Sequence, residues 1–339
     1  MSKAEKVLVL FNAEGPTTLD QDYTEDLKKK DWETEADILK ALNQLGHTTA
    51  PLGLFDDTEI LFEKIKQFQP TIIFNLVERF KHDSAHDRDI ASLLKLIGIP
   101  FTGCGPTGMT LCKNKGLSKE ILSFHRIRVP DFAIFPRKKT VRRPRNLDFP
   151  IFVKPLKEEA SLGIAQASFV ENDEQLKDRV QFIHETMDQD VIAEEYIDGR
   201  ELYVSILGNK RLEIFPIREI RFNEVPEDEP KVATYKAKWD ENYRKKWGIK
   251  NQFAGTLVNG ALAKIEKVSK KIYQLLSIKG YARLDMRLTS SGDLVFIEAN
   301  PNPMLAAEED FAQSAAKAGL EFPQLIQRIL NLSRPGIED

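Results

Sequence analysis

Asp285, Glu298 and Asn300 carry oxygen-bearing side chains within two short runs of alternating apolar residues. The first run is Tyr281 to Leu288 and the second begins at Leu294, with Ser290-Ser-Gly-Asp between them. Alternation interrupted by a glycine-containing turn predicts a β-hairpin. Glu298 and Asn300 are two residues apart and therefore share one face of the second strand. In simple register, Asp285 joins them from the first strand. Carboxylate and amide oxygens are hard ligands that suit Mg²⁺, which keeps several waters and usually bridges to nucleotide phosphates. Arg283, two residues before Asp285, lies on the same face and adds a fixed positive charge. The stretch predicts a metal–phosphate site.

The rest of the chain has to position that site. Lys6 to Phe11 is a continuous apolar run, as expected of a strand buried on both faces of a parallel sheet. Helical spacing over Trp32 to Leu45 is stopped by Gly46. Thr48 to Leu52, Thr71 to Asn75 and Ile99 to Thr102 read as further strands, with helices over Glu59 to Phe68 and Ile90 to Ile97 between them. Strands alternating with helices predict an open α/β sheet. Lys113 to Phe124 reads as one lysine-rich helix. Beyond it come a strand ending in Lys154, a strand over Gly163 to Val170, a helix over Asp173 to Thr186 and an acidic strand over Val191 to Ile197. A hairpin turns at Gly208-Asn209. That order predicts an α+β unit distinct from the first domain.

Bulk properties narrow the function classes. The chain has 339 residues, 42% hydrophobic and 30% charged, enough for a buried core and for more than one domain. A net charge of −3 implies no general polyanion surface, and the basic run from Arg137 to Arg145 lacks aromatics, so it reads as a solvated loop rather than a nucleic-acid patch. Two cysteines are too few for a disulfide scaffold or a Cys-based zinc site, and a reduced cytoplasmic setting is expected. No apolar run is long enough for a secretion signal or a membrane span. Neither G-x-G-x-x-G nor G-x-x-x-x-G-K-[ST] is present, so any nucleotide must be held in another way.

The order of a lysine-rich helix, Phe152-Val-Lys-Pro155, a small-residue loop, Glu194-Glu-Tyr-Ile-Asp-Gly-Arg-Glu201, Tyr235-Lys-Ala-Lys238 and Asp285 followed by Glu298-Ala-Asn300 resembles the ATP-grasp superfamily, and within it the D-alanine–D-alanine ligase branch. The resemblance covers roughly residues 95 to 305. It implies an α/β protein with an α+β lid and three domains, an N-terminal open α/β pre-ATP-grasp domain at 1–105, a central lid at 106–200 and a C-terminal ATP-grasp subdomain at 201–339. It further implies an ATP-dependent, ADP-forming ligase that converts the carboxylate of an amino acid or small peptide to an acyl phosphate, which an amine attacks to give an amide. The alternatives are a D-alanine–D-alanine ligase proper, an ATP-grasp small-molecule kinase and a non-catalytic nucleotide-binding protein. The expected cofactors are ATP and Mg²⁺, two ions, with Mn²⁺ able to substitute. The expected assembly extends to a homodimer.

The same resemblance assigns roles. Lys115 is similar to the first phosphate-binding lysine, with Lys113 and Lys119 as neighbours that could take its place. Lys154 is similar to the second such lysine, and Ser161 and Gly163 match the phosphate loop. Glu194 would accept from the adenine amine, the backbone of Glu195 and Ile197 around Tyr196 would meet the adenine edge, and Glu201 would hold the ribose. Lys238 would close over the γ-phosphate. Asp285, Glu298 and Asn300 would ligate the metal. Arg283, with Lys238 and Ser161, would stabilise the transferring group.

The substrate side departs from the ligase pattern. Asn12-Ala-Glu-Gly-Pro16 replaces a glycine-rich loop, with Glu14 at the place of its glutamate. Ala160 and Trp239 replace a serine and a tyrosine that orient the first D-alanine in the ligases. Glu158 and Glu159 add acidic charge to the phosphate loop and are expected to point outward, leaving the backbone of Ala160 to Gly163 to bind. Pro303-Met-Leu-Ala-Ala-Glu-Glu-Asp310 replaces P-G-M-T-S, placing Met304 and Glu309 where the second substrate's carboxylate is received. Carboxylate facing carboxylate is unfavourable, so an acceptor with a cationic group is expected near Glu308, Glu309 or Asp310. Arg79 and His82 are expected to contact substrate from the loop Glu78 to Arg88.

Overall fold

The computed structural model describes residues 4–158, 161–226, 230–257 and 260–334. Glu159 and Ala160 lie outside the described residues, and with them the outward turn of Glu159 and the phosphate-binding backbone at Ala160. Among the described residues, the strands form three sheets.

The first sheet is parallel, in the order β2-β1-β3, with β1 at Lys6–Asn12, β2 at Thr48–Leu54 and β3 at Ile72–Asn75. Its central strand is buried on both faces, as its unbroken apolar run requires. Val7, Val9 and Phe11 pack toward α1 (Glu33–Gln44) and the C-terminal helix α11 (Phe322–Leu332). Leu8 and Leu10 pack toward α2 (Glu59–Phe68) and α3 (Asp87–Ile97). The expected strand over Ile99 to Thr102 reduces to one bridge, Ile73 to Phe101. Pro100 has no N–H to continue a ladder, and Gly103, at φ +92°, turns the chain away.

The lysine-rich segment is two helices, α4 (Pro106–Lys113) and α5 (Lys115–Phe124). Asn114 leaves helical geometry at ψ 95°, and its side chain accepts from the Leu117 N–H at 3.1 Å. An asparagine cap therefore starts a new helix where continuous periodicity predicted one. Lys115 and Lys119 then share the first turns of α5, while Lys113 faces Asp87 from α4.

The second sheet is antiparallel, in the order β4-β7-β5-β6, with β4 at Phe132–Phe135, β5 at Ile151–Pro155, β6 at Phe169–Val170 and β7 at Val191–Glu195. Helix α6 (Asp173–Met187) covers one face. The strand expected over Gly163 to Val170 keeps only its last two residues, because Gln166–Ser168 form a 3₁₀ turn.

The third sheet carries the hairpin. Its order is β11-β10-β8-β12-β13, with β9 (Glu213–Ile214) also beside β8. The strands are β8 (Arg200–Leu207), β10 (Arg218–Phe222), β11 (Ile249–Phe253), β12 (Tyr281–Leu288) and β13 (Leu294–Pro301), all antiparallel. Leu284, Met286 and Phe296 face a core shared with α4, α5 and α9 (Ala261–Leu275). Alternation sends Arg283, Asp285 and Arg287 to the opposite face. Past β13, Asn302 at φ 54° accepts the Cys104 N–H on its Oδ1 at 2.6 Å. A Cβ added to Gly103 would stand 2.5 Å from that Oδ1. Among the described residues, no helix is long and apolar enough to cross a membrane.

Candidate active site

The hairpin does not keep the simple register that the sequence suggests, and the departure is what brings the three oxygen-bearing side chains together. Asp285 is the partner of Glu298, and Arg283 of Asn300. Register then shifts, because Met286 pairs with Phe296 and Ile297 is the extra residue. Bulges of this kind recur beside active sites, where they re-aim groups. Here the Ile297 carbonyl accepts from Lys119 Nζ at 2.6 Å. Arg283 grips both Asp285 oxygens at 2.8 and 3.0 Å and lies 4.6 Å from the Tyr203 ring centre. Asn300 Nδ2 lies 3.5 Å from the Arg283 carbonyl, so Oδ1 is the atom left to act as a ligand.

Burial pushes the Glu298 carboxyl up, but Lys115, Lys154, Lys238 and Arg283 together outweigh it and hold the group at about 2. Burial pushes Asp285 up to about 6 although Arg283 opposes the shift. Two carboxylates and an amide oxygen on adjacent strands, one carboxylate held firmly ionised, form a donor set that fits a hard divalent cation.

A first cavity, of about 70 Å³, lies between the second and third sheets. It brings together Lys154, Ser161, Glu194, Glu195, Tyr196, Ile197, Glu201, Lys238, Asp285 and Glu298, most of the nucleotide positions expected from the sequence. Lys115 and Gly163 are not on its wall. Lys115 Nζ donates to the Glu158 carbonyl while remaining close enough to lower Glu298. Gly163 is needed for packing, since a Cβ there would meet Met187 Sδ at 2.5 Å and its φ is +73°. The Ser161 hydroxyl donates to the Ala233 carbonyl at 3.0 Å, which ties the phosphate loop to the segment before α7 (Tyr235–Trp239). Glu158 turns its carboxylate to Gln189.

Two residues of the acidic strand carry structural contacts beside the roles expected of them. The Glu194 carboxylate is 3% exposed and lies between two ammonium groups, Lys119 at 2.9 Å and Lys154 at 3.0 Å. It is their counterion, and it stands on the wall of the first cavity. The Glu195 N–H donates to the Asp131 carbonyl at 2.7 Å, leaving only its carbonyl for an adenine edge, and its carboxylate is gripped by Arg128 at 2.7 and 3.0 Å.

Sequence reasoning missed Arg287. It is buried, bonds Glu201 Oε2 at 2.6 Å and lines the first cavity, so one Glu201 oxygen is already engaged. Its signal was available, as it follows Asp285 by two residues on the same face. Tyr203, whose hydroxyl donates to the other Glu201 oxygen at 3.3 Å, carried no such signal.

The lysine cluster yields a pH prediction. Burial lowers Lys119 to about 8 despite Glu194 beside it. Burial also pulls on Lys154, but Glu194 and Glu298 more than offset it and raise that group. An unfolded lysine titrates near 10.5, so between about pH 8 and 10.5 the folded chain has released a proton that the unfolded chain still holds. The stability traceable to Lys119 therefore rises with pH across that window. Denaturant unfolding of wild type and Lys119→Met should show the difference moving about 2 kcal/mol in favour of wild type from pH 7 to 9.5. A pH-independent difference refutes the assignment.

A second cavity, of about 530 Å³, adjoins the first. Arg79, Lys238, Trp239, Arg283, Asn300, Met304 and Glu309 line it. Glu14 lies instead on a third cavity and is paired with Arg79 at 2.5 Å. His82 lines none of the three and packs edge-on against Phe55, 4.8 Å between ring centres. Asp310 is already occupied by Arg218 at 2.6 Å and Asn251 at 2.8 Å, which leaves Glu308 and Glu309 to meet an acceptor.

A divalent-cation hairpin placed between a lysine-walled cavity and a wide polar cleft is the layout of a nucleotide-driven carboxylate ligase. The protein-family signature described as D-ala D-ala ligase C-terminus matches residues 112–331. The D-alanine--D-alanine ligase of Syntrophobacter fumaroxidans is 31% identical over 255 residues, covering 73% of this chain and 76% of that one. The uncharacterized protein y4sG of Sinorhizobium fredii is 28% identical over 310 residues, covering 87% and 86%. The crystal structure of D-alanine--D-alanine ligase from Bacillus anthracis complexed with ATP superposes with a TM-score of 0.74 at 21% identity and 97% coverage of both chains, a likeness of fold. The chain belongs to the D-alanine–D-alanine ligase family of the ATP-grasp superfamily, and it is an ATP-dependent, ADP-forming ligase that makes an amide bond.

Proposed function

We propose that this ligase joins the carboxylate of an amino acid or short peptide to an amine through an acyl phosphate, and that its substrates are not two D-alanines. One observation carries the reading: Asp285 and Glu298 wall the first cavity, Arg283 and Asn300 wall the second, and Lys238 lines both. Nucleotide and carboxylate can then meet at the hairpin from opposite sides. In this reading the donor carboxylate attacks the γ-phosphorus, the bond to the β–γ bridging oxygen breaks, and ADP leaves. The amine then attacks the acyl carbon, loses a proton, and phosphate departs.

Lys115, Lys154 and Lys238 surround Glu298 and supply positive charge to the phosphates. Asp285, Glu298 and Asn300 would hold two Mg²⁺ ions, with Mn²⁺ able to take their place, and these would screen the phosphate oxygens during transfer. Arg283, fixed by Asp285 and Tyr203, stands ready for negative charge on the transferring group or the tetrahedral intermediate. The lid, narrowed from 106–200 to the second sheet and α6 because α4 and α5 pack in the core of the third sheet, would close on that sheet and keep water from the acyl phosphate, with the donor held against the domain at 1–105. Trp239 and Glu309 on the second cavity support a different substrate set.

An ADP-release screen over pairs of carboxylates and amines, D-amino acids included, tests the reading. ADP should form only when both partners are present, and the product mass should equal acid plus amine less water. ADP with a phosphorylated product and no need for amine refutes it. In the same assay, Glu309→Ala should raise the acceptor KM about tenfold, because a partly buried carboxylate facing a cation contributes about 1–2 kcal/mol. An unchanged acceptor KM removes Glu309 from the acceptor site.

A further inference from the structure

Among the described residues, Lys238 is the one cation that lines both the first and the second cavity, and it helps to hold Glu298 ionised. It rides on α7, a helix of only five residues. A helix that short has no stability of its own, and most of its backbone groups lack partners within it. Its geometry must come from what holds it. The Thr234 hydroxyl accepts from the Ala237 N–H at 3.1 Å. On the peptide bond that leads into Lys238, the Ala237 carbonyl accepts from Arg244 Nη1.

Arg244 stands on the next helix, α8 (Glu241–Lys246), and is fixed in turn from its far side. Its Nη2 donates to Asn251 Oδ1 on β11 at 3.2 Å, and Asn251 Nδ2 donates to Asp310 Oδ2 at 2.8 Å. Arg218 on β10 donates to the other Asp310 oxygen at 2.6 Å. Arg218, Arg244, Asn251 and Asp310 all line the second cavity. An unbroken set of hydrogen bonds therefore runs from the start of α10 (Asp310–Lys317) to the peptide before Lys238. Both oxygens that Arg244 holds are neutral, which gives it a geometric task rather than that of a counterion. A guanidinium is a rigid planar fork that can grip two acceptors at a set separation, and neither lysine nor methionine can replace it there.

We propose that Arg244 is a positioning residue for Lys238: by holding the Ala237 carbonyl against Asn251, it fixes α7 so that the Lys238 ammonium meets the γ-phosphate. The proposal rests on the role given to Lys238 in the ligase reading above.

The test is calorimetric binding, with Mg²⁺ present, of ADP and of the non-hydrolysable β,γ-imido analogue of ATP to wild type, Arg244→Met, Lys238→Met and the double variant. Only the analogue carries a γ-phosphate. Lys238→Met should weaken the analogue about tenfold or more and ADP by less than about threefold. Arg244→Met should do the same alone, and should cost less than about a further threefold in the Lys238→Met background. Asn251→Ala, which frees Arg244 at its other end, should shift the ratio of the two affinities in the same direction. Equal losses for both nucleotides in Arg244→Met, as loose packing would give, or additive losses in the double variant, overturn the proposal and leave the ligase reading standing. An unchanged ratio in Lys238→Met overturns the γ-phosphate role of Lys238 and the proposal with it. Each protein supplies its own ratio, so a partly unfolded variant does not distort the comparison.

Discussion

Glu298→Gln should lower amine-dependent ADP release by about a thousandfold or more, with the fold retained. Glutamine keeps the shape and one oxygen but removes the charge that four cations hold ionised at about 2. The hairpin then keeps Asp285, whose carboxyl burial pushes up to about 6 and whose two oxygens are already bound by Arg283. A divalent cation loses its firmest ligand, and charge stabilisation worth several kcal/mol at the transferring phosphoryl goes with it. Raising Mg²⁺ should recover little of the loss. Asp285→Asn should act in the same direction. Turnover within tenfold of wild type in both variants removes the metal assignment. Equilibrium dialysis with ATP should show a smaller loss in binding than in turnover, since Lys154 remains in place.

Glu194→Gln should cost stability rather than chemistry alone. The side chain is 3% exposed and lies between Lys119 and Lys154, themselves 0% and 3% exposed. Neutralising it leaves two ammonium groups buried together with Glu298 as the nearer remaining counterion. Removing one partner of a buried ion pair typically costs about 3–5 kcal/mol, because an uncompensated charge stays behind. Lys119→Met should cost less, since it leaves one ammonium facing one carboxylate. Denaturant titrations of the three proteins at one pH give the ranking. A Glu194→Gln protein within about 1 kcal/mol of wild type would show that the two lysines find other partners or lose their protons.

The contrast between these two glutamates explains what the sequence could reveal. Glu298 and Asn300 were legible as a pair because strand alternation fixes which residues share a face, but Asp285 meets them only because the ladder skips Ile297. The bulge at Ile297 was not legible, since one extra residue among apolar neighbours leaves no mark on composition. Its effect, a carbonyl turned to Lys119, depends on a helix far away in the chain. Glu194 was assigned an adenine contact by its place in a motif that resembles the ATP-grasp adenine strand. Nothing local shows that α5 and β5 deliver one ammonium each to the same carboxylate. The break at Asn114 did carry a signal, a capping residue three before Leu117, which helical periodicity on both sides concealed. Gly163 and His82 were matched by position in a motif, yet one serves packing against Met187 and the other a contact with Phe55.

The contact beyond the hairpin has a bearing on ancestry and engineering. Asn302 closes on the Cys104 N–H at 2.6 Å, and only a residue without a side chain fits at Gly103 beside it. The seam between the Gly103-Cys104 segment and the stretch past the hairpin thus has a lock on one side and a keyhole on the other, though the two lie far apart in the sequence. Recombination that exchanges one side of this seam would have to inherit both halves from compatible parents. Drift at either position is tied to the other, whatever happens to the substrate pockets between them. Substrate preference can diversify on either side of a joint that stays the same.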